Sequence, residues 1–165
     1  MICVVCGFDN IEGQDNCENC GADLRTVDIP AAATPFEDRM QRPVAALRPH
    51  PAPTTTPDAS VAEVVETMRN RHEDCVLVTD DERVVGIFTE RDAVLKLAGR
   101  SLDGVTIGEA MTRDPVVLHA EDPVAAAIRT MAVGGFRHVP LVDDAGRGTG
   151  LVSAVDVFRY ALTTS

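Results

Sequence analysis

With 165 residues the chain has room for one ordinary domain, or a compact one with a small satellite, and its net charge is −11 with Lys96 as the single lysine. Hydrophobic residues make up 45% in a globular balance, but Trp is absent and aromatics are 4%, so the core must be aliphatic. The acidic balance disfavours nucleic acid, which demands clustered cations; no apolar run reaches the length of a membrane span, and Cys3 and Cys6 stand where a leader's basic start and apolar run would be, so a cytoplasmic protein is expected.

The chain opens with Cys3-Val4-Val5-Cys6-Gly7, and after ten residues comes Cys17-Glu18-Asn19-Cys20-Gly21. Two Cys-x-x-Cys turns, each relieved by a glycine, present four thiolates to one tetrahedral zinc, with Cys3, Cys6, Cys17 and Cys20 as ligands. Four cysteine ligands close the coordination sphere, so the metal is expected to be structural. A redox dithiol would need a surrounding βαβ unit, and disulfides an oxidising compartment. Residues 1–24 thus resemble a zinc ribbon. Asp9, Glu12, Asp15, Glu18 and Asp23 occur there without a single Lys or Arg, which points to docking a protein partner or bracing a dimer rather than to phosphate binding.

Residues 25–42 are rich in Pro, Ala and charge and read as a linker, with a helical turn around Phe36 to Met40. Pro49, Pro51 and Pro53 then favour an extended edge segment.

Next comes a repeat, over residues 43–102 and 103–165. A helix opened at Asp58 to Ser60 carries Val61, Val64, Val65 and Met68; strands Cys75 to Val78 and Val84 to Phe88 flank a turn at Asp80 to Arg83, and a second helix closes the unit. The second copy has an extended Pro115 to His119, a helix with Val124, Ala127, Ile128 and Met131, strands Val139 to Val142 and Thr149 to Val152, and a last helix. Positions differ by 63 across the first helix (Val61/Val124) and by 64 at Gly86/Gly150, so one residue is gained, expected between helix and strand. Neither unit buries its own sheet well, so the two should pack on each other.

Within the repeat, Gly86-Ile87-Phe88-Thr89-Glu90-Arg91-Asp92 returns as Gly150-Leu151-Val152-Ser153-Ala154-Val155-Asp156. A hydroxyl at a strand-to-helix turn caps free backbone N–H groups, and an aspartate three residues on lies beside the positive helix end. The pair suits a sugar diol with an attached phosphate. Each copy alone reads as an ordinary capping box; their recurrence in register reverses that and favours a site.

The stretches Thr106 to Val116 and Arg137 to Asp143, with the two Gly-x-x-Thr/Ser-x-x-Asp motifs, closely resemble a tandem pair of CBS domains (after cystathionine β-synthase) from about Arg42 onward. The resemblance implies an α+β fold of two βαββα units packed as a pseudo-twofold pair, preceded here by the small zinc ribbon. It implies a non-enzymatic regulatory module that binds an adenine nucleotide (AMP, ADP or ATP, less often another adenosyl compound) and forms a homodimer through the CBS units. By the same resemblance Asp92 and Asp156 would hold ribose hydroxyls, Thr89 and Ser153 would sit by ribose or phosphate, and Ile87 and Leu151 would line adenine. Pro115, Val116 and Val117 would face the Asp92 site, and Pro51, Ala52 and Pro53 the Asp156 site, with Arg91, Arg137 and His138 near a phosphate. Glu73 and Asp74 depart from the family pattern, and Val155 replaces Arg91's cation in the second motif, so the Asp92 site is the stronger of the two. No nucleophile is paired with a base and no open metal site appears, so no catalysis is expected. The alternative is a zinc-ribbon adaptor that uses the CBS pair as a dimerisation scaffold with little ligand binding.

Overall fold

A computed structural model describes residues 3, 6–11, 14–22, 24 and 35–162. Glu12, Asp23 and residues 25–34 of the expected linker lie outside the described residues. The chain divides into two compact units, Met1–Pro35 and Phe36–Ser165. No described helix is long and apolar enough to cross a membrane.

The larger unit begins with helix α1 (Pro35–Gln41), the helical turn expected there, with Pro35 in its first turn and Glu37 and Asp38 near its positive end. A 3-10 turn (Val44–Leu47) follows. A four-stranded sheet has the order β1 (Thr54–Thr55), β2 (Cys75–Asp80), β3 (Arg83–Thr89), β4 (Thr112–Arg113), with β1 parallel to β2 and the other pairs antiparallel. Helix α2 (Val61–Arg71) joins β1 to β2, and α3 (Glu90–Asp92), continued by a π-helical turn at Ala93–Leu97, follows β3. After α4 (Ile107–Ala110) and β4 come α5 (Val124–Gly134), the antiparallel hairpin β5 (His138–Val142) and β6 (Gly148–Ser153), and α6 (Ala154–Leu162).

The pairing pattern maps onto itself under the repeat. The bridge Pro43↔Pro123 exchanges with Ser60↔Thr106 when 63 is added or subtracted, and Arg83↔Arg147 joins two equivalent residues across the pseudo-twofold axis. His50 bridges Leu151 of β6 as β4 pairs with Gly86 and Ile87 of β3, so each unit lends its leading extended segment to the other's sheet. That exchange ties the two copies into one unit.

The gained residue lies elsewhere than expected. Leu77 faces Ile87 as Pro140 faces Leu151, so the offset of 63 runs through β2 and β5 and becomes 64 only past the hairpin turn. The first turn is a two-residue loop with Asp81 and Glu82 both at positive φ. In the second, three residues follow Asp143, ending at Gly146 (φ 79), and the Asp143 carboxylate accepts from the Ala145 and Arg147 N–H groups. Both are sound hairpin turns, one residue apart in length.

Alternation along the strands sorts the core into layers. Val76, Val78 and Phe88 pack on α2 with Val61, Val64 and Met68, while Val139, Leu141 and Val152 pack on α5 with Val124 and Ala127. The opposite strand faces meet at Cys75, Leu77, Ile87 and Leu151. Cys75 is 2% exposed, and burial pushes its thiol up to about 12, so it behaves as a small apolar residue. The candidate site opens off this inter-sheet layer.

Candidate functional site

In the smaller unit the two Cys-x-x-Cys-Gly runs form matching knuckles. Gly7 donates to the Cys3 carbonyl and Gly21 to that of Cys17, each at 2.8 Å, while the Cys3 and Cys17 N–H groups reach Phe8 and Ala22. Gly7 (φ 74) and Gly21 (φ 73) hold the left-handed conformation that closes each turn. All four sulfurs lie within 4.8 Å of one another, with Cys3–Cys20 at 3.8 Å and Cys6–Cys17 at 3.6 Å. Four sulfurs at about 2.3 Å from a tetrahedral zinc would stand about 3.8 Å apart, so the donor set fits that ion. Burial raises the Cys17 thiol, but N–H groups of Cys20 and Asn19 and the Asn10 amide outweigh it and bring it down to about 6. Asn10, absent from the sequence expectations, is buried and donates to the Phe8 carbonyl while accepting from the Glu18 N–H.

In the larger unit a cavity of about 630 Å³ opens between the two repeats, within the range of small-molecule sites. Of the expected residues, Ile87, Thr89, Arg91, Asp92, Pro115, Val116, Arg137, His138 and Ser153 line it. Val117, Leu151, Asp156, Pro51, Ala52 and Pro53 are not among its lining residues. Leu151 is buried between the sheets with Ala52 packed nearby, and the residue beside Asp156 is His50, just before the expected Pro51 to Pro53: it exchanges backbone hydrogen bonds with Leu151 and places Nε2 3.8 Å from Asp156 Oδ2.

Both helix starts are capping boxes. The Thr89 N–H and Oγ1 donate to Asp92 Oδ2 at 3.0 and 2.7 Å, and the Asp92 N–H returns to Thr89 Oγ1. Ser153 and Asp156 repeat the arrangement at 2.8 and 2.6 Å. The capping reading of the motif therefore holds in both copies, whatever else the pair does. Two residues missed in the sequence also reach Asp92 Oδ1: Lys96 Nζ at 2.7 Å and Thr112 Oγ1 at 3.1 Å. Lys96 stands four residues after Asp92, a spacing that signals a helical pair, whereas Thr112 arrives through strand pairing of β4. Burial raises the Asp92 carboxyl, but the Lys96, Thr89 and Thr112 donors outweigh it and hold it below the ordinary range.

The rest of the lining carries both signs. Arg91 Nη1 donates to the Gly135 carbonyl at 2.9 Å, spanning the cleft to the left-handed cap of α5. Gly134 and Gly135 end that helix, as expected, and also line the cavity. The Arg137 guanidinium has no hydrogen-bond or ion-pair partner among the described residues, and it is exposed at the cavity wall. Asp74, Glu90 and Asp114 oppose these cations. Burial holds the His138 imidazole below its ordinary range despite Asp74 Oδ2 at 3.9 Å from Nε2.

The family described as CBS domain matches residues 38–99 and 107–163. A 17.7 kDa protein of Acidianus ambivalens is 34% identical over 107 residues, which is 64% of this chain and 65% of that one. The chain thus spans less than two thirds of this curated relative, and smaller shares of others. The crystal structure of a CBS-domain containing protein from Agrobacterium tumefaciens is 32% identical with a TM-score of 0.65, covering 74% of this chain and 96% of that one. A CBS domain pair crystallised with 5'-methylthioadenosine and S-adenosyl-L-methionine is 28% identical with a TM-score of 0.64, covering 71% and 97%.

Proposed function

Since the chain belongs to the CBS domain family, we propose that its paired units bind an adenine nucleotide in the cavity beside Asp92 and signal its occupancy to a protein partner, without catalysis. One observation carries this reading: a single cavity is lined by the Thr89–Asp92 helix start of one repeat and by the exposed Arg137 of the other. In that pose adenine lies along Ile87 and Val116, the ribose reaches Asp92, and the 5' phosphate meets Arg137. The relative crystallised with two adenosyl compounds supports the adenosine part. The cations Arg91 and Arg137 favour a phosphorylated ligand, hence AMP, ADP or ATP. Regulation follows if the two arrangements of the repeats differ in ligand affinity.

Cys3, Cys6, Cys17 and Cys20 would hold a zinc ion, which would lock the two knuckles and supply no chemistry beyond structure. The acidic ribbon then serves to dock a partner or brace a dimer. Homodimerisation through the CBS units is supported by Val94 and Phe158, equivalent residues that are both 64% exposed on the helices after β3 and β6. Asp92 also supports a second reading, a scaffold with little ligand binding, because its carboxylate is already fully hydrogen-bonded. Calorimetric titration of the full chain with AMP, ADP and ATP separates the two. Micromolar binding that Asp92→Ala abolishes is expected, and no heat with any of the three would leave the scaffold.

A further inference from the structure

Asp92 and Asp156 are equivalent in the repeat, yet their carboxylates are engaged differently. A carboxylate accepts at about four lone-pair positions. On Asp92 all four are taken, Oδ2 by Thr89 N–H and Oγ1, and Oδ1 by Thr112 Oγ1 and Lys96 Nζ. On Asp156, Oδ2 accepts from Ser153 N–H and Oγ, while Oδ1 has no hydrogen-bond donor among the described residues. The position equivalent to Lys96 holds Tyr160, whose hydroxyl donates to the Arg39 carbonyl instead, and His50 faces Leu151 as Thr112 faces Ile87, but its Nε2 stands 3.8 Å from Asp156 Oδ2, beyond hydrogen-bond distance.

Lys96 is tied to more than the carboxylate. Its Nζ also donates to the Ala110 carbonyl at 2.8 Å and the Met111 carbonyl at 3.2 Å, where α4 passes into β4. The three ammonium donors are thus all used, one on the proposed ribose acceptor and two on the connector between the repeats. The lysine sits in the π-helical turn Ala93–Leu97, a winding common at functional positions.

We propose that Lys96 is a built-in competitor for the sugar diol at Asp92, so that ligand binding transfers Oδ1 from the ammonium to the ribose hydroxyls and frees the Ala110–Met111 connector. This inference rests on the adenine-nucleotide reading of the cavity. It makes Lys96 a positioning residue that lowers affinity in exchange for a signal: the connector that supplies β4 to the first sheet is held while the cavity is empty and released when it fills. On Asp156, Oδ1 accepts no hydrogen bond among the described residues, and His50 Nε2 stands 3.8 Å from Oδ2 without bonding it, so no lysine competes there.

The test titrates the full chain and Lys96→Met with AMP by calorimetry. In parallel, isotopically labelled lysine in the wild-type chain reports the one lysine side chain by NMR. Lys96 is 40% exposed, so its ion pair is worth at most about 1 kcal/mol, and the variant is expected to bind AMP up to about fivefold more tightly. The Lys96 resonance is expected to move toward that of free lysine as AMP saturates the wild type. If the wild type binds AMP while Lys96→Met binds equally or less well, or if the wild-type lysine signal stays fixed at saturation, the competitor role is overturned and the nucleotide reading survives. If neither chain binds AMP, the nucleotide reading fails and the inference falls with it.

Discussion

Replacing Asp92 and Asp156 by alanine, one at a time, compares two equivalent carboxylates in one molecule. Each change removes a capping box, worth about 1 kcal/mol. Asp92→Ala also removes the Thr112 hydrogen bond, about 1 kcal/mol, and the Lys96 ion pair, about 0.5 kcal/mol after allowing for the exposure of the lysine. The expected losses are therefore about 2.5 kcal/mol for Asp92→Ala and about 1 kcal/mol for Asp156→Ala. Urea unfolding at neutral pH, followed by circular dichroism, resolves this as a midpoint difference of about 0.5–1 M. Because the folded Asp92 carboxyl lies below its ordinary value of 3.8, its excess contribution is present above that pH and is lost as pH falls through the folded value. Equal losses for the two variants, or an excess that persists when both carboxylates are protonated, would refute the engagement of Asp92 by Lys96 and Thr112.

Two further expectations follow from the site chemistry. The purified chain should carry one zinc, measured with a chromogenic chelator after denaturation, and Cys17→Ser should release it while leaving the urea midpoint of the larger unit unchanged; a full-length chain purified with zinc present that holds none would contradict the four-cysteine assignment. Burial depresses the His138 imidazole, so the unfolded chain protonates first, and stability present above the ordinary value of 6.5 should decline as pH falls through the lower folded value. His138→Gln should flatten that part of the urea midpoint against pH, and an unchanged slope would assign the dependence to another group.

The repeat was legible because its apolar residues recur at an offset of 63 or 64 through helices and strands alike: Val61 and Val124 are both fully buried, as are Phe88 and Val152. The location of the extra residue was not, because a two-residue turn at positive φ and a longer turn ending in Gly146 satisfy the same hairpin and leave the flanking pattern intact. The cysteine spacing announced four converging sulfurs, but nothing local marked Asn10, whose burial depends on the folded knuckles around it. At the cavity the motif pointed to Thr89 and Asp92, and Lys96 was within reach of a helical-spacing argument. Thr112, twenty residues from Asp92, was not, since only the register of β4 on β3 brings the two together. Asp74 stood out by its charge beside the strand, and the fold sets it on the cavity wall against His138.

The most direct measurement is a crystal structure of the full chain grown with AMP. The adenine-nucleotide reading predicts AMP in the 630 Å³ cavity, its ribose on Asp92 and its phosphate within hydrogen-bond distance of Arg137. An empty cavity at an AMP concentration well above the micromolar range would contradict it.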